Sequence, residues 1–398
     1  MTSCPVCAMP TEPAFISLEV PINCSTLYPS REVAQAATKG TVALTFCRGC
    51  ATIFNSEYEP ALLQYNSNYD NSLSYSGAFR SYCTRLIRRL IDSYSLRNRT
   101  IVEVGCGEGH FLAEMCCDNG NVGFGFDPAY RAGAPLPSVQ IIPTLYSSEH
   151  SAIRADVVCC RHVLEHISDP TILLQTIRSN LSSCSSPLFY CEVPNAASVF
   201  NGPALWDVNY PHCCYFSSAS LRNLLIMNGF RILRLEPSFD SQFLSAEAVP
   251  SISGIAGELA TMEQVEAVER MIEGFKSRFR HAINDWTAQI EAATRQGKRI
   301  ALWGTGAKAV TFVNAVAAAS QIGLLVDSNP RKHGMFVAGT GQRIASPDEL
   351  PGYRPDAIIL LNPTYEAEIR QTLAEMTADA DLWISSARSA TGVQVRVG

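Results

Sequence analysis

Apolar residues recur along this chain with two different periods, and the alternation of these periods predicts most of the architecture. The stretch YSGAFRSYCTRLIRRLIDSYSL places apolar side chains three or four residues apart, as in a helix with one buried face. Short apolar runs follow, and four of them predict parallel strands with helices on both faces of the sheet. The predicted helix face carries Phe79, Leu86, Ile87, Leu90 and Ile91, and the four strands are TIVEVGC, VGFGFD, ADVVCC and LFYCEVP.

A second alternation of the same kind ends the chain. RIALWGTG, IGLLVDSNP and PDAIILLNP predict strands, and AKAVTFVNAVAAAS predicts a helix after the first of them. A charged helical segment around EQVEAVERMIEGFKSRFRHAINDW predicts a connector between domains. The predicted fold is α/β, with a central doubly wound Rossmann-like sheet, a small N-terminal cysteine-rich domain and a C-terminal Rossmann-like α/β domain. The predicted bounds are 1–60 for the cysteine-rich domain, 61–240 for the central domain, 241–297 for the helical connector and 298–398 for the last domain.

The composition is that of a folded protein with several domains. Of its 398 residues, 47% are hydrophobic and 17% are charged, with a net charge of −6. This acidic balance argues against a general nucleic-acid binder. The start MTSCPVCAMP lacks the basic and apolar regions of a signal peptide, and no stretch reaches the apolar length of a membrane span. We therefore expect a cytoplasmic protein without membrane or nucleic-acid partners, present as a monomer or weak homodimer.

Four of the fifteen cysteines form two C-x-x-C pairs. CPVC supplies Cys4 and Cys7, and CRGC supplies Cys47 and Cys50. Two such pairs can give four thiolates in a tetrahedron, which predicts a structural zinc site without an open coordination position. A chain that is not exported keeps its thiols reduced, so disulfides are not expected. The alternatives to the zinc site are a redox dithiol or incidental cysteines.

A glycine-rich turn follows the first predicted strand of the central sheet. The sequence IVEVGCGEGHF holds Gly105, Gly107 and Gly109, and such a turn lets the backbone approach a ligand closely. By itself the turn is ambiguous between a dinucleotide and S-adenosylmethionine. Glu103 lies two residues before the first glycine, and Asp127 ends the next strand, where it can accept bonds from both ribose hydroxyls. These residues favour S-adenosylmethionine, with a nicotinamide cofactor as the competing interpretation.

The order of the motifs resembles class I S-adenosylmethionine methyltransferases, and more narrowly the three-domain C-methyltransferases that act on nucleotide-linked keto-deoxysugars. The resemblance covers almost the whole chain. It implies an N-terminal zinc domain, a central methyltransferase domain and a C-terminal domain that helps to bind the nucleotide sugar. The motifs are CPVC and CRGC, VEVGCGEGHF with GFDPAY, CRHVLEHISDP, EVPN, NYPHCCYFSSASLRNLLIMNGF, and WGTGAK with VDSNPRKHGMFVAGTGQRIASPDEL.

The same resemblance implies catalytic roles for the segment NYPHCCYFS. His212 is expected to be the general base that removes a proton next to a sugar ketone, so that the enolate attacks the sulfonium methyl group. Tyr210, or a nearby tyrosine, is expected to hold the developing oxyanion. Pro211 replaces the glutamate of the family, and it favours the alternative of an O- or N-methyltransferase with the same cofactor site. Judged without the family, His212 is a satisfied core histidine.

Three further residues are candidates for the central site. His166, in LEHISDP, is equally suited to a structural and a substrate-facing position. The resemblance implies that a tyrosine of the segment before the first helix approaches the substrate. Tyr69 is expected to be this residue, with Tyr65 and Tyr75 as competitors for that role. Arg161 is expected among the cofactor-binding residues, because its charge suits a carboxylate or a phosphate, and its alternative is a surface salt bridge.

The last domain contains a second glycine turn, LWGTGAKAVTF. Gly304 and Gly306 lie between a strand and a helix N-terminus, where backbone N–H groups suit a phosphate. Lys308 adds a positive charge, and Asp327 follows the next strand. The glycine spacing stops short of the full dinucleotide pattern, which favours a diphosphate over NAD. The resemblance implies that this domain holds the nucleotide part of the substrate, so the predicted partner is a small molecule of nucleotide-sugar type. The alternative is a degenerate structural lid.

Overall fold

The computed structural model describes residues 2–63, 69–70, 72–251, 257–376, 380–385 and 393–396. The strands, numbered along the chain, are β1 Ile16–Pro21, β2 Lys39–Phe46, β3 Ile53–Asn55, β4 Thr100–Val104, β5 Val122–Phe126, β6 Val139–Ile142, β7 Val157–Arg161, β8 Leu188–Pro194, β9 Cys214–Tyr215, β10 Phe230–Ser238, β11 Phe243–Pro250, β12 Ile300–Trp303, β13 Leu324–Val326, β14 Ile344–Ala345, β15 Ala357–Leu360, β16 Asp381–Ile384 and β17 Val393–Arg396.

The α-helices are α1 Arg31–Gln35, α2 Gly77–Tyr94, α3 His110–Cys116, α4 Pro170–Leu181, α5 Ala196–Phe200, α6 Ser218–Met227, α7 Met262–Glu273, α8 Phe275–Arg295, α9 Ala307–Ala315, α10 Leu350–Tyr353 and α11 Glu366–Glu375. Short 3₁₀ turns lie at Pro60–Leu62, Ser148–His150, Leu164–His166, Ala317–Gln321, Pro330–Lys332, Pro347–Glu349 and Pro363–Tyr365. Within the described ranges, no helix combines the length and apolar character needed to cross a bilayer.

The N-terminal sheet is antiparallel, with the strand order β1-β2-β3-β9. Its last strand comes from a distant part of the chain, because β9 pairs with β3 through Ile53 opposite Tyr215 and Phe54 opposite Cys214. The strand β9 begins two residues after His212. The predicted catalytic segment is therefore attached to the cysteine-rich part of the protein by a strand pairing.

The central sheet has the strand order β10-β11-β8-β7-β4-β5-β6. The five strands from β8 to β6 are parallel, and their side chains alternate between two helical layers, as expected for a doubly wound sheet. Val102 and Val158 pack with α4 and α6 on one face, whereas Ile101 and Val157 pack with α2 and α3 on the other. The predicted helix face of α2 is confirmed, because each of its five residues is buried.

The central sheet extends further along the chain than the sequence indicates. Strand β11 lies between β8 and β10 and is antiparallel to both. It falls within 241–297, the range predicted as a helical connector, so that the helices begin only at Met262. Phe243–Ala248 is buried along its whole length, but the polar residues Ser245 and Glu247 interrupt the apolar run FLSAEAV, so the sequence does not indicate a fully buried strand.

The C-terminal sheet has the order β14-β13-β12-β15-β16-β17, parallel except at β17. A cluster of aromatic rings joins this domain to the rest of the protein. Trp206 lies with its ring centroid 4.9 Å from that of Phe312 in α9 and 5.4 Å from that of Phe279 in α8. Buried aromatic pairs of this kind contribute about 0.5–1.5 kcal/mol beyond their burial. They hold the second glycine turn close to the segment that contains His212.

Candidate active site

A cavity of about 900 Å³ opens at the carboxyl ends of strands from both parallel sheets. Ligands of open α/β sheets bind at this edge. Gly109 and Tyr210 lie outside the described lining of the cavity. The other predicted cofactor, catalytic and substrate residues all line it: Tyr69, Glu103, Gly105, Gly107, Asp127, Arg161, His166, His212, Gly304, Gly306, Lys308 and Asp327.

The turn after β4 adopts backbone conformations that glycine allows at low cost. Gly105 and Gly107 have φ angles of 69° and 55°, in the left-handed region. A Cβ atom on Gly105 would lie 2.2 Å from Val163 Cγ2, whereas one on Gly107 would meet no atom within 4 Å. The backbone at Gly107 is therefore open to a ligand. Gly109 lies behind the turn as the N-cap of α3, where a Cβ would be 2.6 Å from Ile141 Cδ1, so its position is one of packing.

Asp127 follows β5 and orders this turn. Its Oδ2 accepts a hydrogen bond from the Gly107 N–H at 2.9 Å, and its Oδ1 accepts one from the Ala129 N–H at 2.8 Å. A carboxylate oxygen can accept a second hydrogen bond. Asp127 can therefore hold the glycine turn and two ligand hydroxyls at the same time.

Glu103 is an acidic residue buried in the cavity wall, where it is 3% exposed. Its Oε2 has no hydrogen-bond partner in the part of the chain that the structure describes. Burial raises the pKa of Glu103 to about 8, so the carboxyl group is mostly protonated near neutral pH. A buried polar atom that lacks a protein partner indicates that a ligand or water completes its hydrogen bonding.

Two histidines from different elements meet in the wall of the same cavity. The ring centroids of His166 and His212 are 5.0 Å apart. Burial lowers the pKa of His212 to about 4, and burial together with the neighbouring His212 lowers that of His166 to about 3. Both rings are therefore neutral near pH 7. A neutral imidazole has one nitrogen that donates and one that accepts, so the pair can offer both functions to one ligand.

A chain of polar contacts links His212 to the C-terminal domain. Lys308 Nζ donates to Asp207 Oδ2 at 2.9 Å. Asn209 Nδ2 lies 3.2 Å from Asp207 Oδ1 and 3.2 Å from His212 Nδ1. Burial alone would raise the pKa of Asp207, but the charge of Lys308 lowers it below its ordinary value. Asp207 is thus a carboxylate, and it fixes both the lysine and the asparagine.

Two family models match this sequence. Residues 76–235 match a model described as "Methyltransferase domain", and residues 251–386 match one described as "C-methyltransferase C-terminal domain". The chain is also similar to the C-methyltransferase NovU of Streptomyces niveus, with 25% identity over 347 residues, which are 81% of this chain and 80% of that protein. This protein is an S-adenosylmethionine-dependent methyltransferase. The methyltransferase resembles C-methyltransferases over most of its length.

Two similar solved structures each cover 44% of the methyltransferase. The 1,6-didemethyltoxoflavin-N1-methyltransferase of Burkholderia thailandensis, with bound S-adenosylhomocysteine, has 16% identity and a TM-score of 0.33 over 44% of this chain and 81% of its own. The magnesium protoporphyrin IX methyltransferase of Synechocystis PCC 6803 has 17% identity and a TM-score of 0.33 over 44% of this chain and 84% of its own.

Arg161 lies in the cavity wall of the methyltransferase but is already paired. Its Nη2 donates to Glu192 Oε1 at 3.0 Å, and its guanidinium lies 4.1 Å from the ring centroid of Phe111. The side chains of Arg161 and Glu192 are 7% and 0% exposed, so the alternative of a surface salt bridge is wrong. Glu192 also accepts hydrogen bonds from the hydroxyls of Tyr82 and Tyr190. The arginine charge is therefore neutralised within the protein, and the pair supports the wall.

Tyr210 is placed differently from the expectation that it holds an oxyanion. Its ring packs against that of Tyr58, with centroids 5.4 Å apart, and against Gly40, whose Cβ would lie 2.4 Å from Tyr210 Cε2. Its hydroxyl accepts a hydrogen bond from the Glu59 N–H at 2.9 Å. The cause is a turn at Tyr210 and Pro211. Because of this turn, the Tyr210 side chain packs against Tyr58, whereas the His212 side chain lines the cavity.

Tyr210→Phe is expected to reduce stability and leave methyl transfer intact. The substitution removes the acceptor of the Glu59 N–H, which costs about 1–2 kcal/mol of the free energy of unfolding. We expect the rate of methyl transfer to stay within about twofold. Denaturant unfolding and kcat check the two effects, and Tyr58→Phe is the matched control in the neighbouring ring. A loss of rate beyond 100-fold (about 2.7 kcal/mol) at unchanged stability would instead place this hydroxyl at the reacting centre.

The two predicted glycines of the C-terminal turn border open space. A Cβ atom on Gly304 or Gly306 would meet no atom within 4 Å. Helix α9 begins directly after Gly306 without a side-chain cap. Its first N–H groups are therefore available to an anion in the cavity.

The charged residues predicted near this turn are bound to protein groups. Asp327 Oδ2 accepts hydrogen bonds from the Thr305 N–H at 2.7 Å and from Lys332 Nζ at 2.9 Å. Its Oδ1 accepts one from the Asn329 N–H at 2.9 Å. Lys308 is paired with Asp207. Asp327 and Lys308 thus shape the cavity wall, and the lysine charge that was expected to attract a phosphate is largely neutralised.

The four predicted metal ligands come together in the N-terminal domain. Cys4 Sγ lies 3.5 Å from Cys50 Sγ, and Cys7 Sγ lies 3.4 Å from Cys47 Sγ. All four sulfur atoms lie within 4.8 Å of one another. Zinc–sulfur bonds of about 2.3 Å in a tetrahedron require sulfur atoms about 3.8 Å apart, so the arrangement fits that geometry.

The predicted tyrosines of the segment before α2 have different outcomes. Tyr69 and Tyr75 line the cavity, and burial raises the pKa of Tyr69, so its hydroxyl stays protonated. Tyr65 lies outside the described residues. The choice between Tyr69 and Tyr75 remains a prediction.

Sequence reasoning missed several polar residues of the site. Asp207 and Asn209 stand two residues apart in the apolar run ALWDVNY and are both buried. Polar side chains embedded in such a run were a signal that could have been used, because buried polar groups need partners. Glu165 and Glu192 lie in the motif stretches LEH and CEVP, but neither stretch indicates what its carboxylate contacts.

Glu103→Gln is expected to change how stability depends on pH in the ligand-free protein. Burial raises the folded-state pKa of Glu103 from 4.5 to about 8, so the folded chain binds this proton more tightly than the unfolded chain. The contribution of Glu103 to the free energy of unfolding is present at low pH. It is lost as the pH rises from the unfolded-state pKa to the folded-state pKa, at about 1.4 kcal/mol per pH unit. Glutamine removes that slope, which urea unfolding at several pH values measures. Exposed Glu149→Gln is the control, and an unchanged slope in Glu103→Gln contradicts the raised pKa.

Proposed function

We propose that this enzyme transfers the methyl group of S-adenosylmethionine to the carbon beside the ketone of a nucleotide-linked keto-deoxysugar. The observation that carries the proposal is the composition of one cavity. It joins the Gly105–Gly107 turn, the His166–His212 pair and the second glycine turn around Gly304. These three walls correspond to a cofactor end, a proton-transfer centre and an anion-binding end.

The first wall fits S-adenosylmethionine, which supplies an activated methyl group. Asp127 has the lone pairs to accept hydrogen bonds from both ribose hydroxyls while it holds the turn. The open space at Gly107 admits close approach to the backbone. The buried carboxyl of Glu103 has an oxygen to offer to a polar group of the ligand. We propose these residues, and not Arg161, as the main contacts.

The histidine pair supports C-methylation because carbon is a poor nucleophile until it is deprotonated. A base removes the proton beside the ketone, and a donor stabilises the enolate oxygen. Both rings are neutral near pH 7, since burial lowers the pKa of each, so the two can divide these tasks. Because His212 is buried, the lower dielectric around it strengthens the interaction with the developing charge.

The third wall supports a nucleotide end for the substrate. The uncapped N-terminus of α9 presents its first N–H groups beside Gly304 and Gly306. Backbone amides at a helix N-terminus are suited to phosphate oxygens. We propose that the diphosphate lies here and is held by these N–H groups, with Lys308 retained in its pair with Asp207.

We also propose that Cys4, Cys7, Cys47 and Cys50 hold a structural zinc ion. The close sulfur–sulfur distances support a four-thiolate site. A closed site of this kind stabilises the fold and has no position for a reactant. Methyl transfer from a sulfonium does not require a metal at the reacting carbon.

The proposal is tested with ¹³C-methyl S-adenosylmethionine and a panel of nucleoside diphosphate keto-deoxysugars. We expect a product methyl carbon coupled to a ring carbon in the NMR spectrum. A methyl group on oxygen or nitrogen would support the alternative that Pro211 suggests. Absence of any product across the panel, with S-adenosylhomocysteine binding intact, would reject the sugar substrate. His281→Gln, which changes an exposed histidine, is the control for variants of the site histidines.

A further inference from the structure

The orientation of one amide group determines where His212 carries its proton. The His212 N–H donates to Asn209 Oδ1 at 3.2 Å, and a backbone N–H can only donate. Asn209 Nδ2 lies 3.2 Å from Asp207 Oδ1, and a carboxylate can only accept. Both contacts require the same orientation of the Asn209 amide, so its NH₂ group is the one that faces His212 Nδ1 at 3.2 Å.

The two histidines therefore have opposite tautomers. Because the Asn209 NH₂ donates, His212 Nδ1 accepts, and the proton of the neutral ring is on Nε2. His166 Nδ1 lies 2.9 Å from the carbonyl oxygen of Pro211, which can only accept. The His166 proton is thus on Nδ1, and its Nε2 carries the lone pair. Hydrogen bonding at one ring nitrogen commonly sets the function of the other.

We infer that His166 Nε2 is the proton acceptor of the reaction and that the His212 Nε2–H is the donor to the developing oxyanion. The inference rests on the proposed function and deepens it. It reverses the role expected for His212 from the sequence. Asn209, Asp207 and Lys308 become positioning residues, since they act on the reaction by fixing the His212 tautomer.

Each bond change in this assignment is balanced. The proton beside the ketone moves to His166 Nε2, and the C–H electron pair forms the C=C bond of the enolate. The former ketone oxygen gains the charge and accepts a hydrogen bond from the His212 Nε2–H. The C=C electron pair of the enolate then forms the bond to the methyl group while the oxygen re-forms the C=O bond, and the C–S electron pair leaves with sulfur. His166 finally releases its proton to solvent.

A metal site is the competing interpretation of the same residues. Ligand atoms of Glu165, His166 and His212 lie within 4.8 Å of one another. A histidine that binds a metal usually donates its other N–H to an acceptor. His212 Nδ1 instead faces the Asn209 NH₂ group. A metal bound to Nε2 would place the ring proton on Nδ1, and this N–H would then point at the N–H donors of Asn209. The hydrogen bonding therefore favours proton transfer at this position.

The tautomers can be observed directly by NMR. Protein labelled with ¹⁵N in histidine and bound to S-adenosylhomocysteine is expected to show His212 as Nε2–H and His166 as Nδ1–H near pH 7. His166→Gln and His212→Gln assign the signals by their disappearance. A His212 ring protonated on Nδ1, or a His166 ring protonated on Nε2, would overturn the inference. So would a second metal ion per chain that either variant removes.

Asn209→Asp reverses the polarity of the contact that fixes His212. Its carboxylate accepts in place of the NH₂ donor, so the His212 proton is expected to move to Nδ1 while the His166 signal stays unchanged. Methyl transfer is expected to fall about 10²–10³-fold, as for the loss of one oxyanion donor. Exposed Asn201→Asp makes the same substitution outside the site. An unchanged His212 tautomer in Asn209→Asp would count against the assignment.

Exchange of the substrate α-proton with deuterium separates acceptor from donor. His166→Gln is expected to reduce the exchange rate about 10²–10⁴-fold, since it removes the base. His212→Ala is expected to lose about 10²–10³-fold, and His212→Gln less, because its carboxamide N–H can still donate. Rapid exchange in His166→Gln, with none in His212→Gln, would restore His212 as the base. S-adenosylhomocysteine affinity in each variant confirms that the site remains folded.

Methylation of a keto sugar on carbon and the assignment of roles to His166 and His212 can be refuted separately. If no keto sugar exchanges a proton or gains a methyl group, the proposed function is wrong, while the NMR tautomers still decide the hydrogen-bond assignment. If a sugar is methylated on carbon but the tautomers are the reverse, the proposed function stands and the division between the two histidines is wrong.

Discussion

Cys47→Ser is expected to abolish zinc binding and methyl transfer but to leave S-adenosylhomocysteine binding largely intact. A structural zinc ion contributes on the order of 10 kcal/mol to the folding of its domain, which is comparable with the stability of a whole domain. Loss of one thiolate therefore disorders the sheet β1-β2-β3-β9, and with it the strand after His212. The glycine turn belongs to the central sheet, so the cofactor wall persists.

Metal analysis, calorimetry with S-adenosylhomocysteine and a methyl-transfer assay measure the three effects. The expected pattern is one zinc ion per chain in the natural protein and none in Cys47→Ser. Cys117→Ser is the matched control, because Cys117 is exposed and lies outside the four-sulfur cluster. A Cys47→Ser protein that retains full methyl transfer would show that the cluster does not support the histidine segment.

Asp127→Ala is expected to weaken the binding of S-adenosylhomocysteine about 100-fold. A hydrogen bond to a charged group contributes about 1.5–3 kcal/mol, and two ribose hydroxyls share this carboxylate in the proposed complex. Loss of about 3 kcal/mol corresponds to roughly a hundredfold change in Kd. The substitution also removes the acceptor for the Gly107 N–H, which loosens the turn itself.

Calorimetry at constant ionic strength measures the change in Kd. Asp127→Asn is expected to fall between the natural protein and Asp127→Ala, because it keeps the shape and one acceptor but loses the charge. Asp118→Asn, on the exposed turn after α3, controls for the loss of an acidic residue. A Kd within about threefold of the natural value in Asp127→Ala would show that the ribose lies elsewhere.

The features that the sequence predicts well are encoded locally. The buried face of α2 follows from helical spacing, and the cysteine pairs follow from C-x-x-C spacing. The glycine turn after β4 requires positive φ angles at Gly105 and Gly107, which a run of glycines indicates directly. Each of these predictions depends on residues close together in the chain.

The parts of the site that the sequence could not predict depend on distant contacts. Lys308 and Asp207 are 101 residues apart, and no local pattern shows that one neutralises the other. Arg161 and Glu192 meet only because β7 and β8 are adjacent and parallel. Tyr210 and His212 are two residues apart, yet one packs against Tyr58 and the other lines the cavity. Their separation depends on a turn whose direction becomes clear only when β9 joins the N-terminal sheet.

The pairing of β9 with β3 limits how this protein can be recombined with its relatives. A truncated chain that begins after residue 63 would lose β3 and leave the backbone of β9 without its partner strand. A chimera that exchanges only the first sixty or so residues would combine a foreign β3 with the native Cys214 and Tyr215. Functional exchange therefore requires that the cysteine-rich region and the loop through β9 be transplanted together, although about 150 residues lie between them.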